Sequence, residues 1–203
     1  VIAAHWSRYV VDLNRDPDGA ALYPGRRETA LVPVESFAGE PLWLAGCEPD
    51  DREIARRVER YWQPYHAALR AEIARLRAVH PRVVLWEGHS IASRVPLLFD
   101  GVLPDFNLGT AAGASCSPAL RAALTAVLAA AGEHTHVVDG RFRGGWITRH
   151  YGRADEGVEA VQLELAQSTY LDEAALRWDD ARATRAQALI GRLLETCLAH
   201  AAA

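Results

Sequence analysis

The chain has 203 residues, half of them apolar, and a formal net charge of −4. That length and composition suit one domain with a sizeable core, and the charge leaves no basic footprint for nucleic acid. All 22 basic residues are arginine, so Schiff-base and P-loop lysine chemistry is excluded.

Residues 6–13 have strand character, and Asn14 to Gly19 follow as turn chemistry. Asn14 and Arg15 therefore fall just past a strand end. An arginine there can fork onto a carboxylate through two parallel hydrogen bonds, or it can simply be solvated in a surface turn. Residues 20–49, broken by Pro24, Pro33, Pro41 and Pro49, read as a long ordered surface loop. Asp50 and Asp51 open a helix with acidic residues at its positive end. Ile54, Val58 and Tyr61, then Leu69, Ile73 and Leu76, recur at helical spacing. Pro64 should kink the helix or start a new turn. The arginines of this stretch lie mostly on the opposite, solvated face.

A strand is expected over residues 83–87, where Gly88 breaks the run and His89 and Ser90 follow. In open α/β sheets ligands bind outside the carboxyl ends of the strands. His89 is thus placed to be a metal ligand, a general base or a hydrogen-bonded structural residue. Residues 103–110 read as a loop. Ser117 and Pro118 look like an N-cap and first helical position, with a helix over 118–131 ended by Gly132. A short strand covers 135–139.

Residues 140–152 then hold four glycines, three arginines, one histidine and one tyrosine. Glycine lets backbone approach a ligand, and the arginines would make such a pocket anion-selective. Residues 158–165 alternate as a strand, with Ala160, Gln162 and Glu164 on one face and Val161, Leu163 and Leu165 on the other. Buried, Glu164 would be suited to take a proton as a general base; on an exposed edge strand it would be ordinary. Residues 173–199 form a last amphipathic helix.

This order predicts an α/β fold: a single layered domain over residues 1–203 with a mixed, largely parallel sheet flanked by helices. Cys47, Cys116 and Cys197 are widely spaced, with no C-x-x-C pair, so a reduced, cytoplasmic setting is expected. No stretch approaches the roughly 20 apolar residues of a membrane span, and no signal peptide is visible.

Together, Asn14, Arg15, His89, Glu164 and the arginines of 140–152 would make a carboxylate-binding cleft with a candidate metal ligand and base. Such parts suit the attack of a metal-bound water on an amide.

Several stretches carry a resemblance: Tyr-Val-Val-Asp-Leu-Asn-Arg at 9–15, Leu-Tyr-Pro-Gly at 22–25, Gly-His-Ser-Ile at 88–91 and Leu-Pro-Asp-Phe-Asn-Leu-Gly-Thr at 103–110. To these add Gly-Arg-Phe-Arg-Gly-Gly at 140–145, Thr-Arg-His-Tyr-Gly at 148–152, Gln-Leu-Glu-Leu-Ala-Gln at 162–167 and Tyr-Leu-Asp-Glu at 170–173. As an ordered set over almost the whole chain they resemble the N-formylglutamate deformylase (N-formylglutamate amidohydrolase) family.

The resemblance implies a fold like zinc carboxypeptidases and aspartoacylase. It implies hydrolysis of N-formyl-L-glutamate, a small-molecule N-acyl amino acid, to formate and glutamate in histidine degradation, with one divalent metal, Zn2+. His89 would be a metal ligand and Glu164 the general base. Asn14 and Arg15 would hold one substrate carboxylate and Arg149 the other. No nucleic-acid or membrane partner is expected. Two alternatives stand beside this: an amidohydrolase for another N-acyl amino acid, and a metal-free carboxylate-binding member.

The sequence departs from the family pattern at Glu87, where an Asp usually precedes the metal-binding His by two residues. The family's remaining metal ligands lie in a segment before the Asp-Leu-Asn-Arg stretch. With a Met-free, strand-like start, this leads us to expect that the chain lacks an N-terminal segment.

Overall fold

The computed structural model describes residues 1–203. Its backbone contacts divide it into two compact units, Val1–Val79 with Val95–Leu98, and His80–Arg94 with Phe99–Ala203.

The first unit is irregular up to Asp50, and the strand expected over 6–13 does not form. A strand needs a continuous lateral partner. Here Val10 N turns back to Ser7 O (2.9 Å) and Asp12 N reaches Leu31 O (2.7 Å), but no ladder continues beside them. Arg8 pairs with Asp12 within the same turn. The helical half begins at Asp50, whose side chain accepts from Glu53 N. Helix α1 (Asp51–Arg57) passes through a five-residue π-helical stretch, Val58–Trp62, into helix α2 (Gln63–Arg77). The widened turn sits just before Pro64, which has no N–H to donate back along the helix. This is the irregularity expected there. Glu53 pairs with the exposed Arg56 and with Arg57, which turns inward and donates from Nη1 to Val10 O at 3.0 Å.

The second unit is built on a four-stranded sheet of order β1-β4-β2-β3. Strand β1 is Val83–Ile91, β2 is Phe106–Gly109, β3 is His136–Val138 and β4 is Val158–Ala166. The β1/β4 and β2/β3 pairs are parallel and β2/β4 is antiparallel, a mixed, mostly parallel sheet as expected. Helix α3 (Pro118–Ala129) presents Leu120, Leu124 and Leu128. Helix α5 (Asp180–Ala202) presents Ala186, Leu189, Leu193 and Cys197. These stripes close over Phe106, Leu108, Val161, Leu163 and Leu165 to form the core. Each large side chain so enclosed is worth roughly 1.5–3 kcal/mol over leaving it in water. Ser117 and Asp179 cap the two helices by accepting from Leu120 N and Arg182 N.

Several elements differ from expectation. Strand β1 continues through Gly88 to Ile91, because every residue keeps its partner on β4; a fully paired strand carries a glycine that would break an isolated one. His89 therefore lies inside a strand rather than past its end. Strand β2 occupies part of the stretch expected as loop. Helix α4 (Trp146–Tyr151) forms within the expected loop 140–152. The last helix starts at Asp180, because a small hairpin, β5 (Leu171–Asp172) with β6 (Arg177–Trp178), takes up the preceding residues. No helix is long and apolar enough to cross a membrane.

Candidate active site

In a sheet, directly paired residues share a face and successive residues alternate. Glu87 pairs with Gln162 and His89 with Glu164 across β1/β4. Asn107 pairs with Glu164 and Gly109 with Gln162 across β2/β4. Glu87, His89, Gln162, Glu164 and Asn107 therefore form a polar row on one face, and the apolar core occupies the other. Strand β4 is central, so Glu164 is buried, 8% exposed, rather than on an edge. A buried polar row is costly unless its groups find partners.

The partners are specific. Glu87 Oε1 lies 2.5 Å from His89 Nε2, and Glu87 Oε2 accepts from Thr148 Oγ1 at 2.6 Å. Glu87 is 9% exposed, while the His89 side chain keeps 32%. The imidazole thus links a buried carboxylate to the accessible side of the sheet. Asn107 Nδ2 donates to Pro104 O (2.7 Å) and to the backbone oxygen of Glu164 (3.1 Å), which fixes the amide beside Glu164.

Helix α4 and the glycine loop cover this row. Gly145 N donates to Gln162 Oε1 at 2.7 Å. A Cβ on Gly109 would lie 2.5 Å from Gly144 N, so the loop rests directly on the end of β2 and tolerates no side chain there. Gly144 itself has φ +105°, and Thr148 Cγ2 sits 2.9 Å from where its Cβ would be. Arg149, placed on α4 rather than in a loop, donates from Nε to Gly144 O at 3.0 Å.

His89, Glu164 and Arg149 all belong to the second unit; Asn14 and Arg15 belong to the first. There they form a pinned turn. Asn14 N donates to Asp12 Oδ1 (3.0 Å) and Arg15 N to Asp12 O (3.2 Å). The Arg15 guanidinium is held by Thr29 O, Thr29 Oγ1 and Asn14 O at 2.8, 2.8 and 3.0 Å. Helix α2 and the π-helical stretch hold the turn from below: His66 Nε2 meets Leu13 O at 2.9 Å, and Trp62 Nε1 donates to Arg15 O at 3.1 Å. Burial pushes the Asp12 carboxyl up, but the Arg8 and Arg15 guanidiniums and the Asn14 N–H outweigh it and hold it below the usual carboxylate range. The segment is thus a rigid turn with a preoriented arginine, rather than a strand end.

A catalytic zinc usually takes three protein ligands. No group of three His, Cys, Asp or Glu side chains is arranged here to hold a metal ion. These 203 residues do not assemble a complete zinc site.

Sequence reasoning missed Thr148, Gln162, Asn107, His66 and Trp62. Gln162 was within reach, since the alternation placed it on the face of Glu164. Thr148 and Asn107 gave no signal beyond the resemblance, because their roles depend on pairings between distant segments.

A histidine backed by one buried carboxylate and paired in register with another is an arrangement suited to proton transfer in an α/β protein. Comparison with known proteins narrows this. A model of the N-formylglutamate amidohydrolase family matches residues 1–171. An N-formylglutamate deformylase of Pseudomonas aeruginosa is 55% identical over 201 residues, spanning 98% of this chain and 74% of that protein. One from Pseudomonas putida is 49% identical over 205 residues, spanning 100% and 76%. The crystal structure of N-formylglutamate amidohydrolase from Ralstonia eutropha JMP134 superposes with a TM-score of 0.74 at 24% identity, covering 94% of this chain and 73% of that one. A gene product of Agrobacterium tumefaciens superposes with a TM-score of 0.60 at 21% identity, covering 94% and 69%. The chain belongs to the N-formylglutamate amidohydrolase family.

Proposed function

We propose that the protein hydrolyses N-formyl-L-glutamate to formate and L-glutamate, with Glu164 as the general base. The pairing of His89 with Glu164 on the polar face of β1 and β4 carries the reading. Glu164 takes a proton from the attacking water as its oxygen bonds to the formyl carbon. The C–N bond then breaks, and the proton passes to the departing amine. Glu87 orients the His89 imidazole through Nε2, and Thr148 orients Glu87. Arg149 neutralises the side-chain carboxylate of the substrate. Asn14 and Arg15 are proposed for the other carboxylate, on the family resemblance and on the fixed guanidinium of their turn.

The reading includes a divalent metal, zinc, for which His89 would be one ligand and which would polarise the formyl oxygen. A cytoplasmic setting goes with it. Formate release from N-formyl-L-glutamate by the wild-type protein, before and after chelation and zinc replacement, tests activity and metal dependence together.

One observation favours a second reading, a metal-free carboxylate-binding protein: fewer than three donors are brought together. Substrate binding without turnover in a protein free of metal would select it.

A further inference from the structure

Asp139 stands at the entrance to the glycine loop, and the reaction proposed above does not use it. Four non-glycine residues in the chain have positive φ, and three of them meet here: Ala111 (+51°), Ala112 (+57°) and Asp139 (+54°). The left-handed region is unfavourable for residues with a Cβ. Such conformations persist where surrounding contacts impose them, and they gather at functional sites.

The contacts that impose them converge on one carboxylate. Asp139 Oδ1 accepts from Thr110 N (2.7 Å) and Ala112 N (3.2 Å). Asp139 Oδ2 accepts from Thr110 Oγ1 (2.6 Å) and from Arg121 Nη2 (3.0 Å) and Nε (3.3 Å). Burial pushes this carboxyl up, but the Thr110, Arg121 and Ala112 donors outweigh it and hold it below the usual range. The segment so fixed reaches the glycine loop directly. Ala111 N donates to Arg143 O at 2.6 Å, Gly109 lies against Gly144, and Gly144 O accepts from Arg149 Nε at 3.0 Å.

We infer that Asp139 is a positioning residue: by fixing residues 110–112 it seats Arg143 and Gly144, and so sets where the Arg149 guanidinium points. This rests on the reading that Arg149 binds the substrate's side-chain carboxylate. A contiguous set of contacts needs a measurement of coupling before it counts as a route, and a double-mutant cycle supplies one.

The experiment compares wild type, Asp139→Ala, Asp139→Asn, Arg149→Ala and the double variant Asp139→Ala/Arg149→Ala on N-formyl-L-glutamate and N-formyl-L-glutamine. Asp139→Ala should raise KM for the glutamate substrate about tenfold while kcat stays within about twofold. The glutamine substrate, which lacks the side-chain carboxylate, should be little affected. The double variant should be no worse than Arg149→Ala alone. Asparagine tolerates the left-handed region and keeps an acceptor, so Asp139→Asn should fall between wild type and alanine; it carries the test if the alanine variant does not fold. Equal losses on both substrates, or losses that multiply in the double variant, would overturn the inference.

A wild-type protein that releases no formate overturns the functional reading instead. Amide exchange at Gly144, Gly145 and Arg149 in Asp139→Asn then decides the matter: faster exchange supports the positioning role, and unchanged exchange rejects it.

Discussion

The hydroxyl of Thr148 lies 2.6 Å from Oε2 of Glu87, and this hydrogen bond ties helix α4 to strand β1 directly behind His89. Valine matches threonine in shape but cannot donate. Thr148→Val should therefore cost about 1–3 kcal/mol of stability, because a buried carboxylate oxygen loses a donor. It should lower kcat by about 10–100-fold, the range for lost support behind a site histidine. Thr148→Ser should recover most of the rate. Denaturant unfolding and kinetics on the three proteins check this; a valine variant as active as wild type would remove Thr148 from the positioning of Glu87.

Substrate charge recognition makes a separate demand. Arg149→Ala should weaken N-formyl-L-glutamate by about 2–5 kcal/mol if the charge pair it makes is buried. Most of that loss should appear in KM. An unchanged KM in steady-state kinetics would take Arg149 out of the carboxylate clamp.

Acid sensitivity has an identifiable source on the core side of the sheet. Glu159 is 2% exposed and accepts from Ser117 N and His200 Nε2, each at 2.7 Å. Burial pushes its carboxyl up, but those donors outweigh it and set it below its ordinary value of 4.5. A group depressed in the folded state stabilises fully above its unfolded pKa, and that contribution is lost as pH falls through the folded value. Stability should thus drop as pH falls below about 4.5, and Glu159→Gln should flatten that part of the curve. Unfolding free energies from pH 7 to 3 would show it; identical slopes in both proteins would contradict it.

Thiol chemistry separates the three cysteines. Burial raises Cys116 to about 12 and Cys197 to about 11, whereas Cys47 is exposed. A thiol reagent at neutral pH should modify one cysteine in the native protein and three after unfolding. Fast native modification of a second cysteine would show that the core around α3 and α5 opens.

The sequence reveals those parts of the fold whose pattern is local. Helix α3 is announced by Ser117-Pro118 at its start and Gly132 after its end, and β4 by its alternation. What pairing decides is not local. Gly88 reads as a break but sits opposite Leu163 in an unbroken ladder, and Phe106–Gly109 is too short to stand out from the loop around it. Residues 6–13 err in the opposite sense: a β-prone composition finds no partner and folds into a turn around Asp12. For the site, His89, Glu164, Asn14 and Arg15 stand out as polar residues near expected strand ends, but their roles, and the choice of Arg149 among the arginines of its loop, come from the family resemblance. Thr148 and Asn107 are ordinary residues whose importance comes from Glu87 and Glu164 beside them.

Whether Glu164 is the base is decided by formate release from N-formyl-L-glutamate by wild type and Glu164→Gln, with substrate binding measured on both. Wild type should turn over and the variant should lose about 100- to 10,000-fold in rate, with binding retained. A variant that keeps the wild-type rate would contradict the assignment of Glu164 as the base.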